Sequence, residues 1–325
     1  MSKFRWGILG TGGIARTFAH EIQLLPDQSV SAVGSRNLST AIEFSKSLEG
    51  SQPFGSYAEL VESDVDAIYV ATPHPMHFEN TLVAMQAGKP VLCEKPFTLN
   101  VQEARGLIAF SQQNGIPLME AMWTRFLPHI KEIRDLIDSG ALGEIHTVIA
   151  DHGQFIPSTR AERLWEPELG GGALLDLGIY PITIADIALG APQEIHAYAT
   201  LTEKGVDLQT SMGFTYANGA HALLTCTMAN QSANTAVISG EKARIEIDGP
   251  FFAPTSFKII TRDGDVTTFE DRYQGVGLRE EAIAFAEVVR SGSIESPLMT
   301  HAKTVEIMEL MDKVRKQIGV RYPGE

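Results

Sequence analysis

The sequence has little cysteine and no excess of positive charge. Its 325 residues include two cysteines, Cys93 and Cys226, which lie far apart. This excludes a disulfide framework and a paired-cysteine zinc site, and favours a reducing compartment, the cytoplasm. Lys and Arg total 26 against 40 Asp and Glu, a formal net charge of −14. We therefore expect no nonspecific binding to nucleic acid or to anionic membranes.

Long apolar runs and clustered metal ligands are also missing. No stretch approaches the 18 apolar residues of a membrane span, and Met1–Gly10 has no leader-like apolar region. The nine histidines are not spaced with acids or cysteines, so no metal site is expected. What is present is 44% hydrophobic residues over a two-domain length, which predicts a soluble globular protein.

The first 120 residues alternate short apolar runs with amphipathic stretches. Phe4–Leu9 precedes Ile14–Leu25, for example, and Val91–Glu94 precedes Val101–Asn114. The second of these helices has an N-cap signature in Asn100 and a stop in the glycine after it. Such repeated βαβ units predict an α/β Rossmann domain with a doubly wound parallel sheet, over residues 1–122.

The pattern changes in the second half. After a predicted helix at His129–Ser139, strand-like runs follow one another from Glu144 to Glu270, separated mainly by short Gly, Asn and Asp spacers. Two helices, Leu278–Ser291 and Thr300–Ile318, end the chain. Residues 123–325 are therefore predicted to form an α+β domain on a large, mainly antiparallel open sheet.

A glycine-rich loop directly follows the first strand. Gly10-Thr11-Gly12-Gly13-Ile14-Ala15 fits G-x-G-x-x-A and opens the first helix, where backbone amides can bind a pyrophosphate. The alternative is tight strand-to-helix packing without a nucleotide. The context predicts a dinucleotide site.

The end of the second strand bears on the choice of cofactor. An NAD site would place a carboxylate there, but the chain reads Val33-Gly34-Ser35-Arg36-Asn37. Ser35 and Arg36 can instead bind a 2′-phosphate, which favours NADP over NAD. The alternative is that Arg36 is a solvated turn residue.

Two later turns fall at the same predicted edge of the sheet. Thr72 and Pro73 are expected beside the nicotinamide, while His77 is either a substrate contact or a helix cap. Glu94-Lys95-Pro96 ends the next strand, with Glu94 as structural support for a turn that would bring Lys95 to the cofactor. Lys95 can hydrogen-bond the reacting oxygen, or else form only a salt bridge.

A second chemical pair follows a run of glycines at Gly170–Gly172. Asp176 and Tyr180 are four residues apart on a predicted helix and so share one face. A tyrosine near Lys95 could exchange a proton with the substrate, with Asp176 orienting substrate or lysine. A core or capping tyrosine is the alternative.

These motifs, in this order, resemble the glucose-fructose oxidoreductase, inositol dehydrogenase and rhizopine catabolism (Gfo/Idh/MocA) family over nearly the whole chain. The family commonly has Asp-x-x-x-His where this sequence reads Asp176-Leu177-Gly178-Ile179-Tyr180. This departure makes Tyr180, instead of a histidine, the candidate for proton transfer.

The segments Glu120–Phe126 and Leu169–Pro181 are similar to the dimeric dihydrodiol dehydrogenase and NADP-dependent D-xylose dehydrogenase branch. The resemblance implies catalysis by Lys95 and Tyr180, oxidation of trans-dihydrodiols or of the anomeric hydroxyl of pentoses, and a homodimer through the C-terminal sheet. Candidate substrate contacts, with interdomain packing as the alternative, are Trp123, Arg125, Phe126, Phe155 and Trp165.

The sequence thus predicts an NADP-dependent oxidoreductase that moves a hydride between nicotinamide and a carbinol carbon of a small sugar or cyclic diol. Tyr180 would accept the hydroxyl proton, Lys95 would assist, and Asp176 would position the pair. Two alternatives remain: a tightly bound nicotinamide used for internal redox in elimination or glycoside cleavage, and a noncatalytic NADP sensor.

Overall fold

The computed structural model describes residues 3–325. In chain order its strands are β1 Phe4–Leu9, β2 Gln28–Gly34, β3 Gln52–Phe54, β4 Ala67–Val70, β5 Val91–Glu94, β6 Leu118–Ala121, β7 Ile145–Gly153, β8 Glu194–Leu201, β9 Asp207–Thr215, β10 His221–Thr227, β11 Ala236–Gly240, β12 Ala243–Ile247, β13 Phe257–Thr261 and β14 Val266–Phe269. The α-helices are α1 Gly13–Gln23, α2 Leu38–Ser45, α3 Tyr57–Val61, α4 His77–Gln86, α5 Val101–Asn114, α6 Pro128–Asp138, α7 Ile179–Leu189, α8 Leu278–Ser291 and α9 His301–Ile318.

Backbone packing divides the chain into two compact units. The first runs up to Phe126 and also includes Gly275–Val305, and the second comprises Leu127–Gln274 and Glu306–Glu325. The predicted domains were continuous, 1–122 and 123–325, so the structure differs in giving α8 to the first unit. The physical reason is local, because the Glu21 carboxylate of α1 accepts the amides that lead into α8, at 3.2 Å each.

The first unit is built on a six-stranded parallel sheet of order β3-β2-β1-β4-β5-β6. Strands β4, β5 and β6 are buried along their whole length, which is why they read as unbroken apolar runs. Helix α5 begins where the Asn100 side chain accepts the Glu103 amide at 3.0 Å. The predicted Rossmann arrangement is confirmed.

The second unit contains an eight-stranded sheet of order β14-β13-β12-β11-β7-β10-β9-β8. Strands β7 and β10 pair in parallel, and the other neighbours are antiparallel. The prediction of a mainly antiparallel sheet is therefore confirmed. Residues of β10 alternate, with Ala222, Leu224 and Cys226 buried and the intervening side chains exposed, so the sheet has one covered and one open face.

One segment of the second unit differs from expectation. Pro167–Leu189 has the length and apolarity of a membrane-crossing helix, although the sequence analysis expected no such stretch. Its most apolar window is 78% buried. This is the packing of a core helix, whose apolar side chains contact protein instead of lipid.

Candidate active site

The glycine loop opens into free space at the carboxyl end of β1. Among residues 3–325, a side chain at Gly12 or Gly13 would meet no atom within 4 Å, and no side chain caps the start of α1. Its first amides are therefore available to an anion, which helix N-termini favour. At Gly10 the backbone has φ +115°, and a Cβ there would lie 2.6 Å from the Ala71 carbonyl oxygen. The loop thus fits the pyrophosphate of a dinucleotide.

The other predicted loop residues, Thr11 and Ile14, border the same space. Ile14 is exposed, whereas Ala15 is fully buried and allows close packing of α1 on the sheet.

The next strand end carries the predicted phosphate contacts. Ser35 is buried, and its hydroxyl accepts the Asn37 amide at 3.3 Å, while its own proton stays available to donate. Arg36 is exposed and hydrogen-bonds the Tyr57 hydroxyl, which offsets part of the rise that burial causes in the pKa of Tyr57. Sequence reasoning missed Tyr57, since it lies in a short helix without a periodic signal.

His77 occupies the interior behind two turns. It is fully buried, with Nδ1 2.9 Å from the Pro96 carbonyl oxygen and Nε2 2.8 Å from the Thr72 carbonyl oxygen. Burial lowers the pKa of this imidazole, so one ring N–H donates to one carbonyl at a time. The ring thus links the Thr72-Pro73 turn to the Lys95-Pro96 turn.

Lys95 follows β5 directly, at the carboxyl edge of the parallel sheet. Its amide donates to Glu94 Oε2 at 3.1 Å, and Glu94 Oε1 accepts the Tyr69 hydroxyl. The Phe97 amide donates to Glu120 on the neighbouring strand at 3.2 Å. Backbone amides on both sides of Pro96 are thus held by buried carboxyls, which fixes where the lysine leaves the sheet.

In the second unit, Asp176 lies in a π-helical turn, Leu174–Gly178, that precedes α7. The motif predicted one regular helix here, but the helix differs locally at Gly178, where a Cβ would lie 3.0 Å from Cys226 Sγ. Such turns often occur at functional sites. Asp176 accepts a hydrogen bond from Arg163 at 3.2 Å, a partner that the motif did not reveal.

Tyr180 is buried in an aromatic cluster on α7. Its ring lies 5.1 Å from that of His152 and 5.0 Å from that of Phe252, and those two rings stack at 4.1 Å. His152 Nδ1 is 3.2 Å from the Leu177 carbonyl oxygen. These neighbours were not predicted, although Phe252 belongs to a Phe-Phe pair in a turn that could have drawn attention.

The glycine run before Asp176 is tightly fixed. Asp207 is fully buried, and its Oδ2 accepts the Leu174 amide at 2.8 Å and the Thr210 hydroxyl at 2.7 Å. Gly172 has φ +113°, and a Cβ there would lie 2.2 Å from Asp207 Oδ1. Burial raises the pKa of Asp207 to about 7.

The predicted substrate contacts are distributed over both units. Trp123, Arg125 and Phe126 form a 3₁₀ turn after β6 in the first unit, where Arg125 and Phe126 are buried. In the second unit Phe155 is 60% exposed, while the Trp165 indole donates to the Ile156 carbonyl at 3.1 Å and lines a cavity of about 760 Å³. Phe155 is thus available to a ligand, and Trp165 is anchored.

Three exposed side chains outside these regions, Glu144, His146 and Glu241, bring potential metal-ligating atoms within 4.8 Å of one another. Sequence spacing predicts no such group, because Glu241 is distant from the other two in the chain. Exposure leaves each of them well hydrated, and the cluster carries no functional argument.

Comparison with known proteins agrees with this geometry. Residues 4–122 match a family described as "Oxidoreductase family, NAD-binding Rossmann fold", and residues 130–246 match the GFO/IDH/MocA C-terminal domain. The chain belongs to the Gfo/Idh/MocA oxidoreductase family. The predicted family and enzyme class are therefore confirmed.

Relatives within the Gfo/Idh/MocA family match over nearly their full length. Trans-1,2-dihydrobenzene-1,2-diol dehydrogenase from Sus scrofa is 34% identical over 99% of this chain and 98% of its own. The enzyme of that name from Xenopus laevis is 35% identical over 98% and 99%.

Among solved structures, a 3-ketoreductase from Actinomadura kijaniata in complex with NADP and TDP-benzene has a TM-score of 0.87 at 29% identity, covering 98% of both chains. An aldose-aldose oxidoreductase from Caulobacter crescentus, complexed with glycerol, also has a TM-score of 0.87, at 25% identity over 97% of both chains.

Proposed function

We propose that this protein is an NADP-dependent dehydrogenase or reductase acting on a carbinol carbon of a sugar or a cyclic diol. The observation that carries the proposal is the placement of Lys95 at the same carboxyl edge of the parallel sheet as the open, uncapped glycine loop. Ligands of open α/β sheets bind at this edge. The full-length similarity to dihydrodiol dehydrogenases supports the substrate class.

The residues that would hold the cofactor fit it. The loop at Gly10–Ile14 leaves room for the pyrophosphate, and Ser35 and Arg36 offer a hydroxyl and a guanidinium to a 2′-phosphate. The Thr72-Pro73 turn borders the same edge. When bound, the nicotinamide accepts or donates the hydride. The NADP complex of the 3-ketoreductase supports this choice of cofactor.

Side chains of this protein would transfer the proton and stabilise the charge on the substrate oxygen. We assign to Tyr180 the transfer of the substrate hydroxyl proton, because its buried phenol is a group that can act as a general acid or base. Lys95 stabilises alkoxide character on the substrate oxygen. Asp176, which Arg163 holds at 3.2 Å, orients the substrate.

The testing experiment mixes purified protein with NADP⁺, or separately NAD⁺, and a panel of aldopyranoses and trans-dihydrodiols, and follows reduced-nicotinamide absorbance. We expect turnover with NADP⁺ and one substrate class. Lys95→Ala and Tyr180→Phe should each lower kcat by about 100-fold or more, the usual contribution of a positioned acid or base, with NADP binding retained.

The other outcomes would contradict the role of Lys95 or support one of the alternative functions. Full activity of Lys95→Ala would refute its role. Copurified cofactor without net reduction would support internal redox chemistry, and NADP binding without any turnover, carbonyl reduction included, would support a sensor.

We further propose a homodimer through the open face of the eight-stranded sheet. Ile149 on β7, Leu223 on β10 and Tyr198 on β8 are 49%, 54% and 77% exposed on that face, and Ile149 and Leu223 are direct neighbours in the register. Apolar side chains gathered on one sheet face are typical of an interface.

We also propose that the protein works in the cytoplasm. Cys93 and Cys226 are both free and buried, and burial raises the pKa of each thiol. Free, buried thiols are typical of proteins in a reducing compartment.

A further inference from the structure

Three buried carboxyls lie together in the first unit, behind the turn that carries Lys95. Glu94, Glu120 and Glu281 are 4%, 1% and 0% exposed, and they come from β5, β6 and α8. Register places β5 and β6 side by side, with Cys93 opposite Glu120. Glu94 and Glu120 each hold a backbone amide of the Lys95 turn, as described above.

Glu281 is the unexplained member of this carboxyl group. Within residues 3–325, neither of its oxygens has a hydrogen-bond partner. Glu120, by contrast, interacts with the Thr304 hydroxyl and with the Phe97 amide. Buried polar atoms in folded proteins nearly always have a partner, either protein or internal water. The two unpartnered oxygens of Glu281 therefore indicate a polar site that an internal water molecule can serve.

Mutual repulsion adds a second constraint. Burial, and then the charges of Glu94 and Glu120, raise the pKa of Glu281 well above its usual range. Burial also raises the pKa of Glu120 to about 7. Like charges in a dry region cannot all ionise, so the group retains a proton at neutral pH. The titratable and charged groups on the surrounding elements are Glu21 on α1, Tyr69 on β4, Cys93 on β5, Arg125 on the 3₁₀ turn and His301 on α9.

We propose that Glu281 is a positioning residue for Lys95: its carboxyl O–H donates, directly or through one internal water, to Glu94 or Glu120 and so fixes the turn that carries the lysine. A protonated Glu281 keeps Glu94 and Glu120 in place at the backbone amides that they accept, whereas an ionised Glu281 would repel both carboxyls. The inference rests on the role proposed for Lys95.

The experiment compares two substitutions at Glu281 with a surface control on the same helix, Glu287→Gln, since Glu287 is exposed. Glu281→Gln keeps the shape and a donor but cannot ionise, whereas Glu281→Leu removes the donor. We expect Glu281→Leu to lower kcat about tenfold or more with KM for NADP nearly unchanged, because a small displacement of a catalytic group has this effect. Glu281→Gln should retain most of kcat, and the control should match the wild type.

Infrared spectroscopy gives a readout that does not depend on activity or on the Leu variant folding. A protonated buried carboxyl gives a C=O band separate from that of carboxylates. Because burial also raises the pKa of Glu120 and of Asp207 to about 7, the readout is the difference spectrum of wild type minus Glu281→Gln at pH 7, in which we expect such a band. No band in this difference spectrum, or equal kcat in wild type and Glu281→Leu, would overturn the proposal while leaving Lys95 in place. An active Lys95→Ala with the band intact would instead refute the function proposed for Lys95.

Discussion

At the scale of single residues, Arg36 is the candidate for the choice of cofactor. Arg36 is exposed and contacts the Tyr57 hydroxyl, so its guanidinium can turn to a 2′-phosphate without unfolding any element. We expect Arg36→Ala to weaken NADP binding about 10- to 100-fold, the value of one or two charge-assisted hydrogen bonds, and to leave NAD binding nearly unchanged. Titration of both cofactors by nucleotide fluorescence measures this, and equal losses would refute the assignment.

A buried acid gives the second unit a pH-dependent stability. The pKa of Asp207 is raised to about 7 from 3.8, so the folded state holds a proton that the unfolded state releases. The contribution of protonated Asp207 to the stability of the folded state is complete below about pH 4 and is lost as the pH rises through 7. Between pH 5 and pH 8 the wild type should therefore lose up to about 3 kcal/mol through this group, at about 1.4 kcal/mol per pKa unit.

Asp207→Asn tests this directly, because the amide oxygen can still accept from Leu174 while the group no longer ionises. We expect Asp207→Asn to be more stable relative to the wild type at pH 8 than at pH 5, as measured by the free energy of unfolding in urea. The exposed Asp263→Asn serves as the control and should show no such difference. A constant offset at both pH values would contradict the argument.

At the scale of elements, substitutions in the glycine loop before α1 distinguish an effect on cofactor binding from an effect on stability. Gly12 has an ordinary φ of −72° and open space around it, so Gly12→Ala should melt like the wild type. The added methyl group occupies the approach of the pyrophosphate, and NADP affinity should fall about tenfold or more. Gly10→Ala should instead destabilise the fold by about 1–3 kcal/mol, because of its positive φ and the Ala71 carbonyl.

Calorimetric melting and NADP titration of both variants distinguish the two effects. A Gly12→Ala protein with lowered melting temperature, or with unchanged affinity, would contradict the assignment of the loop.

The elements also show how far sequence reasoning extends. Local signals predicted α5 with its observed bounds, because a cap and a glycine stop act within a few residues. The helical spacing of apolar residues predicted the bounds of α8. They missed β3 and α3, which are short and depend on packing against β2 and α2. Motif reasoning proposed Lys95, Asp176 and Tyr180 as candidate site residues. It did not point to Arg163, His152 or Glu281, because tertiary packing sets their neighbours and no local pattern records it.

At the scale of the whole molecule, the open sheet face predicts the assembly. Ile149 and Leu223 form its exposed apolar centre, and Tyr198 lies on a nearby strand. Their burial against a second copy would favour association, at roughly 25 cal/mol per Å² of apolar surface. A lysine in that centre would have to be desolvated without a partner, so Leu223→Lys should convert a dimer to a monomer.

Sedimentation or light scattering of the purified protein measures the change in mass. The matched control is Leu24→Lys, because Leu24 is similarly exposed, at 48%, but lies at the end of α1 outside this sheet. The control should remain dimeric and both variants should melt near the wild-type temperature. A monomeric wild type, or a Leu223→Lys protein that stays dimeric, would exclude this face as the interface. Activity that persists in a monomeric variant would show that each copy holds a complete set of catalytic groups.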